Sequence, residues 1–304
     1  MNNLPAGIAS DRVTGRRTVQ HVIDTHHHIG KLAVGAASEQ VDTGTGHYDA
    51  VGTHHAMLDH FGMSGCAVMP ALQYERPHGI VNTREINDAI TLYRTGSPRF
   101  LAALGTVEPL HGLDLCRAEL DRMVHELHLD GVVWHTRYQG VAVSDHRMHA
   151  LVDEATERGL PCYIHLFAES NLEAPWMLAE LAKEHPHALL VALDGFSSST
   201  QVYYVNDLAD RFENIIFDTA VCFPLLRPLD AFVSRFGSER LLFGTDSYAD
   251  PVSYNVPAVM EELLASNMDQ QHLENIFWRN FIRLFPKAKD AIGDTSGDSP
   301  VGPE

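Results

Sequence analysis

Long apolar runs are missing from this chain. No stretch approaches the ~20 residues needed to cross a bilayer, and the residues before Gln20 hold no apolar block of signal-peptide length. Positive charge is scarce too: 22 Lys and Arg stand against 40 Asp and Glu, for a formal net charge of −18. Such a balance argues against nucleic acid and anionic membrane surfaces as partners. It does not set the sign of charge inside a pocket, because the outer surface dominates the sum. Cysteine is sparse, with four in 304 residues and no Cys-x-x-Cys pair. Cys66 and Cys162 fall in apolar, strand-like runs where a thiol packs as a small hydrophobe. With Cys116 and Cys222 scattered elsewhere, the expectation is a reduced, soluble, cytoplasmic protein. No Gly-x-Gly-x-x-Gly turn follows the first apolar run, which removes the main support for a dinucleotide-binding sheet.

What the chain does have is alternation. Eight short apolar runs read as strands buried on both faces: 22–26, 66–69, 100–107, 131–135, 162–166, 189–193, 215–218 and 241–243. Between them lie segments with helical periodicity, at 47–61, 83–95, 113–127, 145–158, 173–184, 201–212, 227–236 and 256–265, with a closing helix at about 270–284. Within 113–127, for example, Leu113, Cys116, Leu120, Met123, Val124 and Leu127 form one apolar stripe. Gly159 is placed to end the 145–158 helix. Eight strand–helix units in an α/β chain of this length fit a single-domain (β/α)8 barrel over residues 18–286, with loose polar tails at 1–17 and 287–304.

In such barrels the chemistry sits at the C-terminal ends of the strands. The first run, Val-Ile-Asp-Thr-His-His-His-Ile-Gly, ends in His26 and His28, two apart and so on one face. The alternatives are a histidine cluster on a surface loop or an expression tag; only three histidines are consecutive and a strand-like Val-Ile-Asp precedes them, which disfavours a tag. Strand four ends in His135 with Arg137 just beyond, strand five in His165, strand six in Asp194 and strand eight in Asp246. His26, His28, His165 and Asp246 together offer three neutral nitrogens and a carboxylate, a set that suits one divalent metal, zinc first and manganese as the alternative.

These motifs resemble the amidohydrolase superfamily, in the branch that includes aminocarboxymuconate-semialdehyde decarboxylase. Ile-Asp-Thr-His-His-His is similar to the family's opening His-x-His, and Gly159-Leu-Pro-Cys-Tyr-Ile-His165 to its fifth strand. Leu241-Leu-Phe-Gly-Thr-Asp246 resembles its eighth strand, and Asn280-Phe-Ile-Arg-Leu-Phe285 its closing helix. The resemblance implies a metal-dependent hydrolase of an amide, lactone or ester of a small, aromatic-type acid. Metal-activated water would attack, and Asp246 would both ligate the metal and take the proton. The alternative is non-oxidative decarboxylation of an aromatic or unsaturated acid on the same metal set. A third is a barrel that binds metal or small molecules without catalysis.

Where the family usually carries a strand-six histidine, this chain has Asp194. Its carboxylate either replaces that histidine in proton transfer or merely caps the following turn. Asp24, one step deeper than His26, is expected to hold a ligand imidazole by its other N–H. His135 either polarises a substrate oxygen or fills the barrel's upper layer, and Arg137 is a candidate carboxylate clamp. The loop aromatics Tyr74, Phe196, Phe223 and Tyr248 are candidate pocket walls. His54, His55, His60, His125, His128 and His149 fall on helical segments with no ligand spacing and read as solvated. The partner is a small-molecule substrate; the oligomeric state stays open, a homo-oligomer included.

Overall fold

The computed structural model describes residues 17–29, 50–71, 78–222, 227–248 and 256–293. Eight parallel strands pair in chain order: β1 Ile23–Ile29, β2 Gly65–Pro70, β3 Phe100–Gly105, β4 Gly131–Trp134, β5 Cys162–His165, β6 Leu190–Leu193, β7 Ile215–Asp218 and β8 Leu241–Leu242. The sheet closes on itself. Thr25 N donates to Phe243 O (2.9 Å) and His28 N to Ser247 O (2.8 Å), joining the end of β8 to β1. The described helices are α1 Val51–His60, α2 Ile80–Gly96, α3 Leu113–His125, α4 Thr136–Gln139, α5 His146–Glu157, α6 Pro175–Glu184, α7 Ser199–Arg211, α8 Pro228–Phe236, α9 Val256–Leu264, α10 Gln270–Glu274, α11 Asn280–Leu284 and α12 Ala288–Ile292. A (β/α)8 barrel is the result, as the alternation predicts.

Local chemistry sets several boundaries. Asp145 caps α5 by accepting from Arg147 N, and Ser198 caps α7 by accepting from Gln201 N. Gly159 follows α5 at φ +70°, a conformation that suits glycine. Two apolar layers hold the barrel. Ile23, Met69, Leu101, Val133, Tyr163, Val191 and Leu242 fill the lumen, and Phe281, Phe285 and Ala288 join the same cluster from the closing helices. Truncating either phenylalanine to alanine would cost on the order of 3–5 kcal/mol. A second, larger layer lies between strands and helices.

The folded unit runs past both expected boundaries. Arg17 donates to the carbonyls of Leu264 and Ser266, and α12 occupies part of the segment expected to be a loose tail. Residues 1–16 and 294–304 lie outside the described residues.

Two local irregularities serve the site. The β1–β2 register slips between Asp24 and His27, so β1 carries one extra residue there. The closing helix is interrupted by a π segment, Asn275–Arg279, between α10 and α11. There the carbonyl of Ile276 accepts from Phe243 N (3.0 Å), and Asn280 Nδ2 donates to the carbonyls of Ser238 and Leu241. β8 has only two laddered residues, and these bonds fix the chain that leads to Asp246.

Candidate active site

At the C-terminal mouth of the barrel, three imidazoles meet. His26 Nε2 lies 2.9 Å from His28 Nε2 and 3.2 Å from His165 Nε2. Asp246 Oδ1 lies 3.2 Å from His28 Nε2 and 3.6 Å from His26 Nε2. The four residues expected to share one ion are therefore gathered at one point.

The opposite edge of each ring shows what they are prepared for. His28 Nδ1 donates to the carbonyl of Pro70 (2.6 Å), and His165 Nδ1 to the carbonyl of Trp134 (3.0 Å). Carbonyls only accept, so both rings carry their proton on Nδ1 and turn an Nε2 lone pair inward. His26 Nδ1 faces Asp218 Oδ2 at 2.7 Å. Burial, reinforced by the neighbouring His28, pushes His26 down to about 3, and burial also holds His165 well below the usual histidine range. Neutral, inward-facing lone pairs this close repel one another unless a cation sits between them. Ligand atoms about 2.1 Å from one ion, at tetrahedral or right angles, lie roughly 3.0–3.4 Å apart. The imidazole spacings of 2.9 and 3.2 Å and the 3.2 Å Asp246–His28 contact lie close to this range, so the donor set fits a divalent metal.

Asp218 is the residue the sequence reading missed. It ends β7, where its strand was expected, but its carboxylate reaches the centre. Besides His26, its Oδ1 accepts from Asp194 N (2.8 Å). Burial holds its pKa well above the carboxylate range, against the pull of backbone N–H groups of Asp194, Ala220 and Gly195. Gly244 permits this approach: a Cβ there would stand 2.6 Å from Asp218 Oδ2 and 3.1 Å from His26 Cβ. Asp218 is thus the carboxylate on the far side of the His26 ring, the part expected of Asp24.

Asp24 does something else. Its Oδ1 accepts from His26 N and Thr245 N, each at 3.0 Å, and its Oδ2 from Thr245 Oγ1 at 2.6 Å. Its one imidazole hydrogen bond among the described residues is to His27 Nδ1, at 3.2 Å. The bulge between Asp24 and His27 explains the exchange, because it breaks the simple alternation of faces. Asp24 ties the backbone at His26 to that at Thr245 rather than orienting the His26 ring.

Asp194 and Asp246 both adopt left-handed backbone conformations, φ 60° and 56°, at a cost on the order of 1–3 kcal/mol each. The cap of α7 is Ser198 rather than Asp194. Asp194 Oδ1 lies 3.9 Å from His26 Nδ1 and has no hydrogen-bond partner among the described residues. Burial, then the negative charge of Asp246, raise its pKa well above the carboxylate range.

His135 stacks on His165, with ring centroids 4.2 Å apart, and its Nδ1 meets Glu173 Oε1 at 2.5 Å. Burial, then the charge of Arg137, keep it well below the usual range. Glu173, also missed, lies just before α6 rather than inside the helix, and is fully buried. It accepts from Arg137 N (3.1 Å) and faces Arg137 Nε (3.3 Å), and burial lifts it to about 8. The Arg137 guanidinium lies over Tyr138 (4.8 Å) and Phe167 (5.0 Å). It is a third exposed, pinned at the rim rather than loose on the surface.

Among the expected aromatics, Tyr248 stacks on His28 at 4.5 Å. Phe196 is instead buried between strands and helices, edge-on to Phe232 at 5.5 Å. Tyr74 and Phe223 lie outside the described residues. His54, expected on a solvated face, is buried, with Nδ1 2.8 Å from His27 Nε2. His149 is half-buried beside His185, while His60, His125 and His128 are exposed. His128 follows α3 in a left-handed conformation and is not helical. No described helix is long and apolar enough to cross a membrane.

Solved structures share this barrel at low identity. One is 5-carboxyvanillate decarboxylase from Sphingomonas paucimobilis: 13% identity, TM-score 0.66, covering 88% of this chain and 99% of that one. A second is the Novosphingobium aromaticivorans 5-carboxyvanillate decarboxylase with manganese and 4-hydroxy-3-methoxy-5-nitrobenzoic acid: 13%, 0.65, 88% and 96%. A third is 2,6-dihydroxybenzoate decarboxylase from Rhizobium: 17%, 0.66, 88% and 99%. At these identities they show the fold alone. No protein of curated function matches the sequence. The family model described as amidohydrolase matches residues 23–287, from the first residue of β1 to beyond α11, and by that match the chain belongs to the amidohydrolase family.

Proposed function

We propose that this protein is a divalent-metal-dependent, non-oxidative decarboxylase of a hydroxylated aromatic acid. The observation that carries the reading is a ligand-ready three-histidine and aspartate centre with a pinned guanidinium beside it. A bound divalent cation would supply Lewis acidity and charge to anchor oxygens of the substrate. Arg137, whose Nε lies 3.3 Å from Glu173 Oε2, offers its terminal nitrogens to a carboxylate, the paired geometry that guanidinium favours. Tyr248, stacked on His28, and Tyr138, beside His135, supply aromatic surface nearby.

Decarboxylation needs a proton delivered to the ring carbon that bears the carboxylate. The electrons of the breaking carbon–carbon bond then restore the ring, and carbon dioxide leaves. Asp194 is assigned the delivery of that proton, since its Oδ1 has no hydrogen-bond partner among the described residues. Solved relatives of the same fold act on 5-carboxyvanillate and 2,6-dihydroxybenzoate, and one holds manganese, which favours decarboxylation over hydrolysis and manganese beside zinc as the metal.

The test is a panel of hydroxybenzoates, and a parallel panel of aryl esters and lactones, each offered to protein loaded with manganese or zinc. Carbon dioxide released one-for-one with the decarboxylated phenol is the expected result. Turnover of esters or lactones with no carbon dioxide from any acid would overturn it in favour of hydrolysis.

A further inference from the structure

A second set of metal-type donors stands on the outside of the barrel, between α5 and α6. His149 projects from α5, and Glu184 and His185 close α6. His149 Nδ1 lies 2.9 Å from His185 Nε2 and 3.2 Å from Glu184 Oε2. On its other edge, His185 Nδ1 meets Asp153 Oδ1 at 2.6 Å. None of these residues belongs to the centre at the barrel mouth.

We propose that His149, Glu184 and His185 form an independent site for a borderline divalent cation of the zinc, copper or nickel kind. The proton inventory points there. A carboxylate accepts, so the Asp153 contact places the His185 proton on Nδ1 and leaves Nε2 as a lone pair. That lone pair and Glu184 Oε2 then both face a single atom, His149 Nδ1. One N–H can serve only one of these acceptors well. An ion among the three serves all of them, once His149 gives up its Nδ1 proton to the Nε2 side.

The spacings repeat those at the barrel mouth, and the donor atoms of the three residues all lie within 4.8 Å of one another. The Asp153–His185 contact is the carboxylate–histidine pairing that commonly orients a metal-ligating imidazole. Two neutral imidazoles with the carboxylates of Glu184 and Asp153 sum to −2, which one dication balances. Two nitrogens and an oxygen favour zinc, nickel or copper over magnesium or calcium, and bind manganese weakly.

The backbone is ready as well. His185 N is bonded to Leu181 O (2.9 Å), and its carbonyl accepts from Asn214 Nδ2 (3.0 Å). The His185 side chain is 9% exposed and that of His149 18%, against 66% for Glu184. Two ligands are therefore prepositioned, while the third is free to close over an arriving ion. Such an ion would staple together the two helices that flank β5, the strand that carries His165.

The experiment is equilibrium dialysis against zinc or manganese, followed by elemental analysis, on the wild type, Glu184→Gln and the His149→Ala/His185→Ala double variant. The wild type should hold two zinc ions per chain but one manganese. The double variant should hold one zinc, and Glu184→Gln, altered at an exposed position that the fold does not need, should bind the second zinc at least tenfold more weakly. A saturated wild type that holds no more zinc per chain than the double variant would overturn the proposal, whatever the barrel mouth holds. Decarboxylation does not enter the measurement, so this site stands or falls independently of the proposed activity.

Discussion

Asp218→Asn should cripple the metal centre without removing any ligand. Asp218 Oδ1 accepts from the backbone N–H of Asp194 at 2.8 Å, while Oδ2 faces His26 Nδ1 at 2.7 Å. In the amide only one of these atoms is an acceptor. The backbone N–H cannot turn away, so the amide oxygen must stay with it and the NH2 group must face His26 Nδ1. That nitrogen then becomes the acceptor, and the His26 proton moves to Nε2, where it points into the centre. His28, His165 and Asp246 remain, so binding is weakened rather than abolished. Loss of such an orienting partner costs 10–100-fold in metal affinity, or about 1.4–2.7 kcal/mol. Competition against a calibrated chelator reads it directly, with circular dichroism to verify the fold. Affinity within twofold of wild type in a folded Asp218→Asn protein would refute the tautomer argument.

Three further outcomes follow from the same geometry. Asp194→Asn should lower turnover by on the order of 100-fold at equal metal content, the usual loss for an acid–base group, and Asp194→His should recover part of it; normal turnover in the Asn variant would remove Asp194 from the mechanism. Glu173 is lifted to about 8, so it becomes the charged tether of Arg137 only as pH rises through that value: wild-type KM for a carboxylate substrate should fall there, whereas Glu173→Gln should show a roughly tenfold higher KM with no such step, and identical KM profiles would contradict it. Burial holds His54 down to about 3, so below its unfolded pKa of about 6.5 the unfolded chain takes up a proton that the folded one refuses. Stability should therefore drain away by about 1.4 kcal/mol per pH unit as pH falls from 6 towards 4; His54→Gln should lack this contribution, so the wild-type-minus-variant difference in urea melts should carry that slope, and parallel wild-type and variant curves would refute it.

The barrel and the four residues gathered at its mouth were legible because both depend on local signals. Runs such as Cys162–His165 and Leu190–Leu193 are too short and too apolar for helices, and a polar residue closing such a run is conspicuous. His26, His28, His165 and Asp246 declare themselves in that way. Asp218 closes a strand as well, but one carboxylate after Ile-Ile-Phe carries no sign that it meets an imidazole 192 residues earlier. Glu173 lay hidden at the start of a helical stretch, and its work depends on His135, 38 residues before it. The β1 bulge reversed the expected part of Asp24, since a one-residue slip changes which face a side chain serves. His54 and His149 looked solvated because helical spacing reports only neighbours on the same helix; their partners, His27 and His185, come from other elements. The π segment at Asn275–Arg279 left no periodic trace to read.

The most direct measurement is anomalous diffraction at the manganese or zinc edge from crystals of the metal-loaded protein. A strong peak at the barrel mouth, about 2.0–2.2 Å from Nε2 of His26, His28 and His165 and from a carboxylate oxygen of Asp246, is the predicted result. A fully loaded protein with no peak among these four side chains would contradict it.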